Sequence, residues 1–262
     1  MTSLIMYLLV GAVAGTLAGL FGIGGGTVIV PAVLFGLAAQ GVAPDIAPHI
    51  AVATSLATIV FTSLSSIRSH HLLGAIQWPV VKLMAAGIVL GTAVGVLVSV
   101  KIPGDVLLLL IGSFMVLVSI QMFFGLQPKS TGKAPGSKEL VGAGAVIGFG
   151  SSWFGIGGGI FAVPYLTWRS FQMRSAVAAS AGCGLPIAVT GALTYIVSGW
   201  QASGLPAWSS GYVYWPAVAG IVVTSVPFAK VGARLAHSLD QKKLKRGFAL
   251  LLLLVGIKFL FF

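Results

Sequence analysis

The sequence predicts an all-α, polytopic membrane protein built from two inverted-topology repeats. Each repeat is expected to be a glycine-broken re-entrant helical hairpin followed by three transmembrane helices. Three observations lead there: an apolar composition, an internal duplication, and a one-sided distribution of bases. The 262 residues are 57% hydrophobic and 7% charged, with a mean hydropathy of +1.05. A soluble domain carries roughly 25% charged residues, so most of this surface must face lipid. The 36 glycines show no three-residue period and sit among Val, Leu and Ala, which excludes collagen and disorder.

The duplication is read directly. Phe21-Gly-Ile-Gly-Gly-Gly26 returns as Phe154-Gly-Ile-Gly-Gly-Gly159, 133 positions on (Phe21 to Phe154). Val30 and Pro31 return at the same interval as Val163 and Pro164. Gly11, Ala12, Val13 and Gly15 return as Gly144, Ala145, Val146 and Gly148, and Ala86-Gly-Ile-Val89 as Ala219-Gly-Ile-Val222. Trp78-Pro79 and Trp215-Pro216 correspond with a small length change. The copies are assigned to residues 1–126 and 139–262, with the polar stretch 127–138 as a cytoplasmic linker. Duplication on this scale in an apolar chain is a common construction of secondary transporters.

Each copy holds three apolar runs near the ~20 residues a bilayer requires. In the first they cover Ile50 to Ile67, Ile76 to Val100 and Val106 to Leu126. In the second they cover Ala176 to Val197, Tyr212 to Arg234 and Leu244 to Phe261. The segments before them, Leu4 to Ala38 and Leu140 to Trp168, are broken midway by the glycine block and then a proline.

Charge decides how those broken segments sit. If each is a hairpin returning to its own side, the cytoplasmic loops hold eleven bases. These are Arg68, Lys129, Lys133, Lys138, Arg169, Arg174, Arg234, Lys242, Lys243, Lys245 and Arg246. The other side holds only Lys101, while Lys82, Lys230 and Lys258 lie in spans or near their ends. Single spans in place of hairpins would scatter these bases over both sides, against the positive-inside rule. Three spans per copy is an odd number, so the copies insert in opposite orientation. Both termini are then expected outside the cytoplasm. The net charge of +11 is read as a topology signal, not a nucleic-acid surface. No signal peptide is expected, because no basic n-region precedes the first apolar stretch.

Inverted hairpins bring the two glycine tips together near the bilayer midplane. Non-helical backbone at that depth must be buried or line a cavity. Gly22, Gly24, Gly25 and Gly26, then Gly155, Gly157, Gly158 and Gly159, allow turns and close approach of a ligand to the amides. Helices starting near Thr27 and Ile160 would aim free N–H groups and positive dipole ends at one space, which suits an anion. The alternative is that these glycines serve only close helix packing. A dinucleotide fingerprint does not fit, since the third glycine is out of register and no βα unit precedes it.

The next helix in each copy adds hydroxyls. Thr54, Thr58, Thr62 and Ser66 share one face, with Ser55 beside them. Matching Ala51-Val-Ala53 to Ala176-Val-Ala178 sets Ser180 against Ser55 and Cys183 against Thr58, and Thr190 and Thr194 continue that face. Thr54, Ser55 and Ser180 could line a path, or bond only to helix backbone. Trp78 and Trp215 read as interfacial anchors, and Trp153 as a substrate contact or a packing residue. Cys183 reads as a small packing residue; a single cysteine cannot form an intrachain disulfide or a cysteine cluster. His70 and His71 have no carboxylate nearby in sequence, so no metal site is expected. Asp45, Asp105, Glu139 and Asp240 all fall in loops or at helix ends. With no Ser-His-Asp, HExxH or CxxC arrangement and no buried acid, neither an enzyme nor a cofactor is expected.

The paired FGIGGG…VP blocks, the apolar repeat around them and Ala51-Val-Ala-Thr-Ser55 resemble the TauE/SafE-type sulfite exporter family over essentially the whole chain. The resemblance implies a multi-pass protein of the bacterial cytoplasmic membrane. It implies transport, as an exporter, of a small sulfur anion such as sulfite or an organosulfonate. The partners expected are that anion and the lipid bilayer. The second copy has Ala179 where the first has Thr54, so substrate contact carries over less directly to that half. A permease for another small anion and a non-transporting assembly subunit are the alternatives.

Overall fold

A computed structural model describes residues 2–21, 25–125, 130, 132–235 and 241–261. They form helices in one order, given twice. The first set is α1 (Thr2–Phe21), α2 (Gly26–Ala39), α3 (Ala47–Leu72), α4 (Trp78–Ser99) and α5 (Gly104–Phe124). The second is α6 (Ser137–Phe154), α7 (Gly159–Trp168), α8 (Met173–Ser198), α9 (Trp215–Leu235) and α10 (Gln241–Phe261). The strands β1 (Ser209–Ser210) and β2 (Val213–Tyr214) form a small antiparallel ribbon between α8 and α9.

Local chemistry sets the boundaries. α4 and α9 both begin on a Trp-Pro pair, because proline fits the first helical turn, where no intrahelical N–H bond is needed. Tyr212, expected to open the fifth span, lies instead in the ribbon turn, and α9 starts only at Trp215. α2 and α7 each carry proline at their sixth residue, Pro31 and Pro164. A proline there has no N–H to offer the carbonyl of Thr27 or Ile160 four residues back. The two Trp indoles at the starts of α4 and α9 donate to His71 Nδ1 (3.3 Å) and Ser210 Oγ (3.0 Å).

Among the described residues, α3, α4, α5 and α8 are long and apolar enough to cross a bilayer. α9 and α10 coincide with the two remaining expected spans and have 21 residues each. Leu90, Leu117, Val146, Val197, Val223 and Leu254 are each more than 60% exposed. Apolar side chains this exposed on so many helices mark a lipid-facing surface. The protein is an all-α, multi-pass membrane protein.

α3 and α8 form the centre. Ile50, Ala51, Val52, Ala53 and Leu56 of α3 and Ala178, Ala179, Cys183 and Ile187 of α8 are fully buried. The two run antiparallel. Tyr195 near the end of α8 reaches Ser99, whose carbonyl bonds His49 near the start of α3. At the other end, His70 of α3 lies within electrostatic reach of Arg174 of α8.

Six of the remaining helices pair across the halves, α1 on α9, α6 on α4 and α5 on α10, while α2 packs on α3 and α7 on α8. Gly11 and Gly15 of α1 lie on the backbone of Ile221 and Ser225, where a Cβ would collide. Gly144 and Gly148 of α6, their sequence counterparts, lie the same way on Met84 and Ile88 of α4. Such small-residue faces let membrane helices approach closely without a hydrophobic drive.

Each glycine-broken segment folds back on itself. Gly36 of α2 abuts Met6 and Tyr7 of α1, and Gln40 Nε2 donates to Tyr7 Oη at 3.0 Å. In the second segment, Arg169 beyond α7 pairs with Glu139 at the start of α6 (2.8 Å), and Tyr165 Oη donates to Glu139 Oε1 at 3.1 Å. At ~1.5 Å per residue, the 14-residue α2 and 10-residue α7 are too short to cross a ~30 Å core alone.

Candidate functional site

The two glycine tips meet. Gly26, the first residue of α2, packs against the carbonyl of Gly155, and a Cβ on it would lie 3.0 Å from Ile156 Cα. Ile59 touches both tips, 3.2 Å from a Cβ built on Gly26 and 3.2 Å from one on Gly157. Ile59 is the thirteenth of the 26 residues of α3, so the junction lies halfway along the central helix. From the other side, Gly184 of α8 sits 3.0 Å from the Gly157 carbonyl by the same measure. Gly22 and Gly24 lie outside the described residues.

Both inner helices begin at this junction without a side-chain cap. Gly25 caps α2 at φ 25° and Gly158 caps α7 at φ 77°, a left-handed conformation that strains any residue with a Cβ. The Gly25 carbonyl accepts from Val28 and Ile29, and the Gly158 carbonyl from Phe161 and Ala162. The amides of Gly26, Thr27, Gly159 and Ile160 find no acceptor among the described residues. Gly25, Gly157 and Gly159 are only half-buried, so the junction is partly open. An uncapped N-terminus packed on the loop that leads into a second one makes a positive, donor-rich region in low dielectric.

The hydroxyls divide by role. Ser55 Oγ donates to the Gly155 carbonyl at 2.7 Å, so α3 of the first half holds the second tip. Thr54 Oγ1 accepts from the Tyr214 amide at 3.1 Å, and Thr58 donates to the Thr54 carbonyl at 2.9 Å. Thr62 and Thr194 likewise donate to their own helices. Ser180 is 3% exposed and bonds no described residue. Thr27 lies buried in the first turn of α2. The structure therefore gathers Gly25, Gly26, Gly155, Gly157, Gly158 and Gly159 with Ser55. Thr54 is tied to the ribbon.

Trp153, read from sequence as a substrate contact or a packing residue, donates its Nε1 to the Gly95 carbonyl at 2.9 Å, fastening α6 to α4. Other polar groups were not singled out from sequence. Buried His49 meets the Ser99 carbonyl (Nε2, 3.2 Å), Ser99 Oγ meets Tyr195 Oη (2.9 Å), and Tyr195 Oη donates to the Ser152 carbonyl (3.2 Å). This chain links the start of α3 to the approach to the second tip. Its members lie far apart in sequence and carry no motif. The mismatch of Ser151 and Ser152 with Ala18 and Gly19 in the repeat is the signal that was present.

Among the described residues the acids stay at helix ends, and Asp240 lies outside them. Asp45 accepts from the Gly104 amide at 3.1 Å, and Glu139 is held by Arg169 and Tyr165. Burial, and then Asp45, raises the Tyr212 phenol above its usual range, so it stays neutral at physiological pH. No group of three or more His, Cys, Asp or Glu side chains able to hold a metal occurs among the described residues. The junction thus offers donors and positive ends. Such groups are chemically suited to an anion.

Comparison with known proteins gives the family. The family model described as Sulfite exporter TauE/SafE matches residues 7–259. A probable membrane transporter protein of Haemophilus influenzae is 39% identical over 257 residues, covering 98% of this chain and 97% of its own. The probable membrane transporter protein YunE of Bacillus subtilis is 25% identical, with 99% and 98% covered. One from Methanocaldococcus jannaschii is 28% identical, with 92% and 89% covered. No solved structure matches. With the model spanning nearly its whole length, the chain belongs to the sulfite exporter TauE/SafE family.

Proposed function

We propose that this family member is an exporter of a small sulfur-containing anion, sulfite or an organosulfonate, across the bacterial cytoplasmic membrane. The anion is held where the two tips meet, between halves 1–126 and 139–262 that insert as inverted repeats joined by the cytoplasmic linker 127–138. The observation that carries this reading is the meeting, halfway along α3, of the uncapped N-terminus of α2 with the glycine loop that leads into the uncapped α7. Two features support the inverted arrangement. The open end of the first hairpin meets Tyr214, whose hydroxyl donates to Gln40 Oε1 (3.1 Å), at the far end of α8. The open end of the second, at Glu139 and Arg169, adjoins the start of α8.

Re-entrant hairpins follow from the short inner legs and from the eleven bases assigned to one side. The termini then face away from the cytoplasm. Amides, hydroxyls and dipole ends hold the anion without a titrating carboxylate, and no bond is made or broken. Purified protein in liposomes tests the reading. Saturable flux of labelled sulfite, thiosulfate or a sulfonate is expected, and phosphate should compete weakly. Absence of flux for every sulfur anion in the panel overturns it and favours a non-transporting subunit.

A further inference from the structure

Ser151 does not fit a purely structural account. It lies near the end of α6, is fully buried, and its Oγ has no hydrogen-bond partner among the described residues. Serine in a membrane helix ordinarily donates to its own backbone, as Ser119 does to the Val116 carbonyl (2.8 Å) and Ser152 to that of Phe149 (2.7 Å). An unmade buried bond is costly, on the order of 1–3 kcal/mol. Ser151 Oγ lies 3.8 Å from the position a Cβ would take on Gly158, the residue that caps α7. The amides of Gly159 and Ile160, which find no acceptor among the described residues, follow at once. An unpartnered donor and an uncapped N-terminus therefore share one place.

A second unpaired hydroxyl lies on the same helix seam. Thr92 Oγ1 of α4 is fully buried, without a partner among the described residues, and 2.7 Å from a Cβ built on Gly148 of α6. Gly148 precedes Ser151 by three residues, about one helical turn.

We infer that Ser151 Oγ and the first amides of α7 form a binding site for one oxygen of a small oxyanion. Thr92 extends the donor track by about a turn. Ser151 corresponds to Ala18 in the first half, so this site belongs to the second tip, and the anion is held off-centre between the halves. The inference rests on the reading that the tips hold a small anion, and it names the atoms that do so.

The test is thermal stabilisation of the detergent-purified full chain, titrated with sulfite, thiosulfate, sulfate and a short sulfonate. Wild-type protein should be stabilised by at least one of them. Ser151→Ala should raise that ligand's half-saturating concentration about tenfold or more, the effect of one lost bond to a charged group. Ser151→Thr, which keeps the hydroxyl, should stay within about threefold, and Ser119→Ala should titrate like wild type. A Ser151→Ala curve that overlays wild type overturns the site, as does a wild type stabilised by none of the four. Should Ser151→Ala not purify folded, Ser151→Cys replaces it. Its weaker donor should weaken binding about threefold, and a wild-type curve again overturns the site. Flux is measured separately. Stabilisation without flux leaves the site standing and removes the transport reading.

Discussion

The two hairpins share a frame and differ in chemistry. Both start their inner helix on a glycine cap, both place proline six residues in, and both lay a pair of glycines on a helix of the opposite half. Yet α2 has 14 residues and α7 has 10. The second tip is gripped by Ser55 and flanked by Ser151 and Ser152. Ser180, the counterpart of Ser55, bonds no described residue, and Ala18 and Gly19 match the two serines. The backbone scaffold is thus duplicated while the polar groups are not. A transporter built this way can be symmetrical in how it moves and one-sided in how it binds.

The relation between the halves is most sharply tested by sidedness. Single cysteines at exposed Ser130 and Ser203, in a Cys183→Ala background, should react with an impermeant maleimide from opposite faces of intact vesicles. Labelling of both from one face breaks the inverted arrangement outright.

Next in size is the effect of a side chain at the two caps. Gly158→Val should lower flux about a hundredfold or more, because φ 77° is forbidden to a β-branched residue and its Cβ would press on Ile187. Gly25→Val, at φ 25° with its nearest neighbour 3.3 Å away, should be milder. Equal flux from both variants and wild type, at equal amounts of folded protein, would reduce the tips to scaffolding.

Driving force comes third. With no acid placed in the path, export should follow membrane potential. One negative charge gains about 2.3 kcal/mol per 100 mV, roughly a fiftyfold accumulation ratio. Proteoliposomes clamped with potassium and valinomycin at equal pH measure this. Flux that ignores the clamp and follows an imposed pH gradient would shift coupling to a histidine or to a protonated substrate.

The smallest expected difference separates two serines. Ser55→Ala removes the donor to the buried Gly155 carbonyl and should lower stability by about 1–3 kcal/mol. Ser180→Ala should change it by under about 0.5 kcal/mol. Thermal unfolding in one detergent compares them directly. A reversed order would mean that the grip on the tips is placed in the wrong half.

The spans were legible because lipid leaves few alternatives. An apolar run of ~20 residues must be a helix, and Trp78-Pro79 marks where one begins. The expected run Ile76 to Val100 became Trp78–Ser99, and Val106 to Leu126 became Gly104–Phe124. Meeting tips were legible from duplication and an odd count of spans. The hydroxyl partners were not. Thr54 is bonded by an amide 160 residues away, and nothing in its own helix signals that. The same holds for His49, which lies in an apolar run and finds Ser99 only after the helices assemble. The short ribbon hid because two-residue strands leave no alternating pattern.

The exchange of outer helices bears on how the chain is made. α1 ends at Phe21, and the helix that covers its glycine face, α9, begins at Trp215. At roughly 5–20 residues per second, the ribosome delivers that partner about 10–40 seconds later. For that interval the first hairpin stands in the membrane with its small-residue face unmatched, while α6 finds its partner α4 already in place. Assembly is therefore expected to proceed from the second hairpin outward, with the first hairpin waiting under the care of an insertase or lipid. If the chain is cut within 127–138, the N-terminal fragment made alone should be degraded, and made together with the C-terminal fragment it should persist.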